Sequence, residues 1–140
     1  MKNNSSETLF VYGTLRKSFN NEKLRSVLKD LKYLGKAVTK GVMIDLGEYP
    51  AIISSRDADS RVKGEVYEVI KPERVFRVLD KYEGYDQSNP QDSEYARKKQ
   101  IVQLDSGQKR KSWIYIYNRL DSSRFPRINK GDYLKYVKVK

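Results

Sequence analysis

Two runs of β-forming residues, Glu94 to Leu104 and Lys109 to Asn118, flank Asp105, Ser106, Gly107 and Gln108, and this hairpin constrains the fold more than any other feature. So short a connection joins antiparallel neighbours, because a parallel pair needs a crossover of a dozen or more residues. Further strands are predicted around it. Leu9, Phe10 and Val11 form an apolar run closed by Gly13, which marks Thr8 to Tyr12 as a short buried strand. Tyr33 to Ile44 is rich in β-branched and apolar residues broken by Gly35 and Gly41, predicting one or two strands separated by turns. Leu46 to Pro50 reads as a turn, Ala51 to Ile53 and Val62 to Ile70 as strands, and Ile128 to Val139 as a candidate last strand.

Two helices interrupt these strands. Leu24, Val27, Leu28 and Leu31 fall on one helical face, so a helix is expected from about Glu22 to Leu31, with Asn20 or Asn21 as its N-cap. Pro72 suits the first turn of a second helix, whose apolar face is Val75, Val78, Leu79 and Tyr82 and whose stop is Gly84. The polar stretch Asp86 to Ser93 is then a loop and a candidate lid. Strands dominate with two helices inserted, which argues for an α+β fold on a mainly antiparallel or mixed sheet able to close into a barrel. With 140 residues the chain is read as one domain over 8–140 behind a polar tail over 1–7.

Composition narrows the chemistry. The chain contains Cys 0 and His 0, which excludes a disulfide framework, a cysteine nucleophile, a histidine base and imidazole metal ligands. Reactions must run on carboxylates, Lys, Tyr, hydroxyls or backbone groups. No apolar run reaches the roughly 20 residues of a membrane span, and the polar start lacks a signal-peptide core, so a cytoplasmic protein without membrane contact is expected. Lys and Arg total 29 against 18 acidic residues, a net charge of +11 that favours anions in general. These cations are spread along the chain, with the densest group, Arg97 to Lys99 and Lys109 to Lys111, flanking the hairpin. A solvated face is the preferred reading over a nucleic-acid surface.

Two segments carry candidate chemistry. Tyr12, Gly13, Thr14, Leu15 and Arg16 form a strand-to-turn passage in which glycine lets a ligand approach and successive N–H groups point at an anion; a plain turn is the alternative. Glu83 stands four residues beyond Leu79 and seven beyond Phe76, so the helical period carries it toward the buried side. Desolvation there raises a carboxyl pKa and suits it to take a proton from an amine, whereas the alternative is a helix-end glutamate paired with a cation.

These segments also bear a family resemblance. Tyr12 to Leu15 spell YGTL, and Glu83 lies in Leu79-Asp80-Lys81-Tyr82-Glu83-Gly84. Both resemble motifs of the γ-glutamylcyclotransferase-like proteins, in the branch of γ-glutamylamine cyclotransferase and plant AIG2-like proteins. Gly47, Tyr49 and Pro50, then Val62 to Val66 with Gly64, then Tyr95 with Arg97, Tyr115 with Tyr117, and Gly131 with Asp132 fit the same pattern, so the resemblance spans Leu9 to Tyr133.

The resemblance implies a small mixed, mainly antiparallel β-barrel flanked by two principal helices, with a cavity beside the YGTL loop and Glu83. It also implies a cofactor-independent, metal-free reaction on a small γ-glutamyl compound, whose own α-amine attacks its γ-carbonyl to release 5-oxoproline and a free amine or amino acid. Glu83 is then the general acid and base, and Tyr12, Gly13, Thr14 and Leu15 cradle the substrate. Tyr49, Tyr95 and Tyr117 are candidate pocket residues, and Arg97 is a candidate partner for a carboxylate, the substrate's or a structural one. The other readings are a binding module on the same fold and, last, a basic nucleic-acid-binding domain. The oligomeric state and the leaving amine are left open.

Overall fold

A computed structural model describes residues 7–12, 25–27, 29–46, 50–54, 60–86, 88–89, 91, 93–118 and 124–128. In chain order these form β1 (Glu7–Val11), β2 (Leu31–Lys40), β3 (Val42–Asp45), β4 (Pro50–Ile53), β5 (Arg61–Val69), α1 (Pro72–Tyr82), β6 (Tyr95–Leu104) and β7 (Lys109–Tyr117). Five strands close into a barrel in the order β1-β5-β2-β6-β7, and β3 pairs with β4 as a separate ribbon. The predicted hairpin is β6 and β7, antiparallel from Tyr95↔Tyr117 to Gln103↔Lys109. The closing seam is parallel, with Leu9 opposite Trp113. The class is therefore a mixed, mainly antiparallel barrel carrying helix, as expected.

The apolar run of β1 is buried on both faces because it divides two cores. Phe10 and Tyr12 join Val62, Val66, Val102, Ile114 and Ile116 in one cluster. Leu9 and Val11 join Val75, Phe76 and Leu79 of α1 in the other, together with Tyr95 and Tyr115. A strand covered on both sides shows no polar alternation, which is why its sequence reads as a continuous apolar run. Opposite it, β5 comes unusually close: a Cβ at Gly64 would stand 2.3 Å from the Val11 carbonyl oxygen and 2.6 Å from the Phe10 ring. Only glycine fits there.

Helix α1 has Pro72 in its first turn and ends as its sequence predicts. Gly84 adopts φ 69 and its N–H donates to the Lys81 carbonyl at 3.2 Å, while the Tyr85 N–H donates to the Asp80 carbonyl at 2.8 Å. This paired closure is the Schellman arrangement, with the left-handed residue one step beyond the Glu83 C-cap.

Three expectations differ from the structure. Residues 25–27 are helical, but Leu31 is already the first residue of β2, paired with Val69, so the helix does not run on to it. Its apolar spacing fitted one more turn, and β pairing claims the residue instead. Gly35 is not a turn; it sits at a register shift between Tyr33 and Gly35 inside β2, a bulge that bends the strand without ending it. Glu7 opens β1 instead of closing the tail. Of the candidate last strand, Ile128 donates its N–H to the Met43 carbonyl at 2.8 Å, beside a bridge between Ile44 and Arg127. Residues 129–139 lie outside the described residues, as do 20–24.

Candidate active site

Glu83 occupies the C-cap of α1, partly buried, where the closure just described fixes its backbone; its N–H donates to the Leu79 carbonyl at 2.9 Å. Burial and then the neighbouring Glu94 carboxylate push its carboxyl from 4.5 up to about 7. Glu94 sits just before β6, and a Cβ on Gly84 would lie 3.8 Å from the Glu94 Cβ, so the two acidic residues flank the same turn.

Tyr12, the residue after β1, is buried, and its hydroxyl donates to the Tyr115 carbonyl at 2.7 Å while accepting the Ile52 N–H at 3.2 Å. Burial and then the Glu83 charge hold this phenol well above the usual range, partly offset by the Ile52 N–H. The charge at the helix end therefore acts on the phenol at the first strand's exit. Tyr12 is followed by Gly13, Thr14 and Leu15, which lie outside the described residues, as does Tyr49.

Tyr95 and Tyr117 face each other across β6 and β7 with ring centroids 5.7 Å apart, and Tyr117 also meets Phe125 at 6.3 Å. Tyr95 is fully packed in the cluster beneath α1. Arg97 is not directed at Glu83. Its Nε and Nη2 donate to the two Asp80 carboxylate oxygens at 2.8 and 3.1 Å, so of the two partners considered for it, the structural one is present. Phe76 and Trp113 each hold the guanidinium 4.3 Å from their ring centres. Burial alone would lower the Arg97 pKa, but the hydrogen bonds and charge of Asp80 outweigh it and hold it above the ordinary value.

Sequence reasoning gave no role to Asp80, Tyr115 or Glu94. The Tyr115 hydroxyl donates to Asp80 Oδ1 at 2.6 Å, and burial first, then this bond, raise the phenol's pKa. The hints available were that Asp80 lies in the same motif as Glu83, three residues away, and that Tyr115 belongs with Tyr117 to a stretch fitting the same family pattern. The candidate lid is pinned at both ends by one hydroxyl: Ser93 Oγ accepts the Asp86 N–H at 2.9 Å and donates to the Asn89 carbonyl at 3.3 Å. Asp86 in turn accepts from the Ser88 side chain and backbone, which lower its pKa. A groove of about 740 Å³ beside α1 is lined by Glu7, Phe76, Asp80, Tyr85, Arg97 and Trp113 among others, and Glu83 is not part of it. Among the described residues no group of three or more acidic residues is placed to hold a metal ion, and no helix is long and apolar enough to cross a membrane.

The chain matches the family described as Gamma-glutamyl cyclotransferase, AIG2-like, over residues 9–135. It is 34% identical over 130 residues to a protein of Methanocaldococcus jannaschii provisionally named a gamma-glutamylcyclotransferase, covering 93% of this chain and 98% of that one. It is 35% identical over 116 residues to the gamma-L-glutamyl-butirosin B gamma-glutamyl cyclotransferase of Niallia circulans, covering 81% of this chain and 68% of the relative. Among solved structures, YkqA from Bacillus subtilis superposes with a TM-score of 0.69 at 28% identity, covering 96% of this chain but 43% of YkqA, so the chain spans less than half of that protein. A mouse AIG2-like protein shares the fold, with a TM-score of 0.66 at 23% identity over 89% of this chain and 87% of the mouse protein. On the family match and the near full-length relative, the chain belongs to the Gamma-glutamyl cyclotransferase, AIG2-like family and is an enzyme of that type.

Proposed function

We propose that the protein releases 5-oxoproline from a small γ-glutamyl compound, with Glu83 as the proton-transferring group. The observation that carries this reading is a partly buried carboxyl with a pKa of about 7, held at a fixed helix end within electrostatic reach of Tyr12. A general base works best when its pKa lies near the working pH, since it is then both largely deprotonated and basic enough to accept.

The nucleophile belongs to the substrate. Glu83 takes a proton from the α-ammonium, and the freed nitrogen attacks the γ-carbonyl carbon, forming the ring C–N bond and an oxyanion. Collapse of that oxyanion breaks the bond to the leaving nitrogen, which takes up the proton from Glu83; the carboxylate so regenerated removes the second proton from the ring nitrogen, leaving a lactam with one N–H, and passes it to the departing amine, which leaves protonated. Atoms and electrons balance without a redox partner, and the absence of Cys and His from the sequence costs the mechanism nothing. Ring closure is intramolecular, so a cradle that folds the glutamyl chain near attack geometry removes part of the entropic barrier. Gly13, Thr14 and Leu15, directly after Tyr12 in sequence, are assigned that cradle, a role in which backbone N–H groups bind the substrate carboxylate or the oxyanion. Tyr49, Tyr95 and Tyr117 are assigned to the pocket wall. The Niallia circulans relative is named for gamma-L-glutamyl-butirosin B; a γ-glutamyl end is what the proposed substrates share with it.

The test is 5-oxoproline release, followed by mass spectrometry across γ-glutamyl amino acids, γ-glutamyl-lysine and γ-glutamylamines. Wild-type protein is expected to turn over at least one of them. Glu83→Gln keeps the shape of the side chain and cannot accept the proton, so turnover is expected to fall by at least the ~10²–10⁴ typical of general-base loss. Retained release by a folded Glu83→Gln protein rejects the assignment.

A further inference from the structure

Tyr115 is gripped at both of its ends by the two parts of the site. Its hydroxyl donates to Asp80 Oδ1 at 2.6 Å, and its carbonyl accepts the Tyr12 hydroxyl at 2.7 Å. Asp80 is equally divided. Its side chain accepts from Tyr115 and twice from Arg97, while its carbonyl accepts the Tyr85 N–H that closes the helix around Glu83. Arg97 is packed against Phe76 and Trp113, each ring centre 4.3 Å from its guanidinium.

We infer that Tyr115 and Asp80, backed by Arg97, are positioning residues that set Glu83 relative to Tyr12. This rests on the reading of Glu83 as the proton-transferring group. Asp80 precedes Glu83 by three residues, so an anchor on Asp80 fixes the rotation and height of the helix within one turn of the carboxyl. The anchor is made of three charge-assisted bonds, among the strongest that side chains make. Its other end is the β7 residue whose carbonyl holds Tyr12, so strand exit and helix end are referred to one point on the barrel wall. A misplacement of about 1 Å between reacting groups costs on the order of 10²-fold in rate, which gives such a reference point a direct use.

A purely structural role predicts lost stability and nothing more; a positioning role predicts a change at Glu83 in a protein that remains folded. Glu94, before β6, acts on that carboxyl, and the Glu83 charge in turn raises the phenols of Tyr12 after β1 and Tyr115 on β7, so these are the titratable groups that face it from the elements packed around it. With the anchor released, water reaches the helix end and the carboxyl relaxes toward its ordinary value.

The experiment uses Tyr115→Phe, which deletes the hydroxyl and leaves the main-chain acceptor of Tyr12 in place, with Asp80→Asn as the second variant should the first not fold. Tyr67→Phe is the control, because it deletes a tyrosine–carboxylate bond of the same kind, to Glu65 at 3.1 Å on β5. Carboxyl-¹³C glutamate labelling, with the Glu83 signal identified by its loss in Glu83→Gln, gives the titration midpoint whether or not a substrate is known. The expected result is a midpoint lowered from about 7 in Tyr115→Phe and unchanged in Tyr67→Phe. With an active substrate in hand, kcat is expected to fall tenfold or more with KM within about threefold. A folded Tyr115→Phe or Asp80→Asn protein whose Glu83 midpoint stays at the wild-type value overturns the inference. Failure of the wild type to release 5-oxoproline instead strikes the proposed reaction, and the titration is unaffected by it.

Discussion

At the scale of single residues, the ionisation of Glu83 ties the proposed proton transfer to stability. Its folded pKa of about 7 lies above the ordinary 4.5, so the folded protein binds this proton more tightly than the unfolded chain does. The linked stabilisation is complete below about pH 4.5, declines as pH rises through 7, and is absent above it. A difference of that size corresponds to roughly 3 kcal/mol. Glutamine in the same place has no charge to desolvate and loses nothing over this range. Urea unfolding of wild type and Glu83→Gln at pH 5 and pH 8 is therefore expected to show the variant gaining, relative to wild type, by roughly 2 to 3 kcal/mol at the higher pH. A gap that does not change with pH would mean that the carboxyl is freely solvated, and the base assignment would lose its support.

At the scale of elements, α1 is the part of the fold that presents Glu83, and its terminus is specified by one dihedral. Gly84 has φ 69, a left-handed conformation that costs other residues about 1–2 kcal/mol. There is room for a side chain, since the nearest contact of an added Cβ is an ordinary 3.8 Å to Glu94. Gly84→Ala should therefore destabilise by about 1–2 kcal/mol through strain alone, and Gly84→Asn by less, because Asn tolerates this region; denaturant midpoints with unchanged m-values check both. This helix was legible in sequence because every cue was local: Pro72 at the start, one apolar face and Gly84 at the stop. The helix around 25–27 was overextended because Leu31 matched the period yet belongs to β2, and periodicity does not register a competing partner such as Val69. The site divides along the same line. Glu83 and the YGTL segment are proposed from contiguous motifs, whereas the Asp80–Arg97–Tyr115 anchor joins residues 17 and 35 positions apart and appears only once the strands are assembled.

At the scale of the whole molecule, what holds the site's two halves together is closure of the barrel, and the closing seam is its least regular part. β1 meets β7 in parallel, with Leu9 opposite Trp113, so side chains supplement the backbone ladder. Glu7 accepts the Trp113 indole N–H at 2.8 Å and pairs with Lys99 at 3.1 Å at the exposed rim. One residue further in, buried Thr8 donates to the Lys111 carbonyl at 3.1 Å and shares a hydrogen bond with the Ser112 hydroxyl, which is only 1% exposed. The rim ion pair lies in water and contributes little, whereas the buried hydroxyl pair has no solvent to fall back on. Thr8→Val preserves volume and β-branching and removes the hydroxyl. It should cost about 1–3 kcal/mol, because the buried Ser112 hydroxyl loses a partner where water cannot replace it. Removing the second hydroxyl as well makes the position apolar on both sides, so Thr8→Val combined with Ser112→Ala should be less destabilised than the sum of the single changes. A double-mutant cycle in urea measures this coupling, and strictly additive effects would show that the seam is held by its backbone and by Trp113 instead. Because Tyr12 leaves β1 four residues after Thr8, loosening the seam should also shift the Tyr12 hydroxyl from its Tyr115 and Ile52 partners, and any activity lost in Thr8→Val should return together with stability in the double variant.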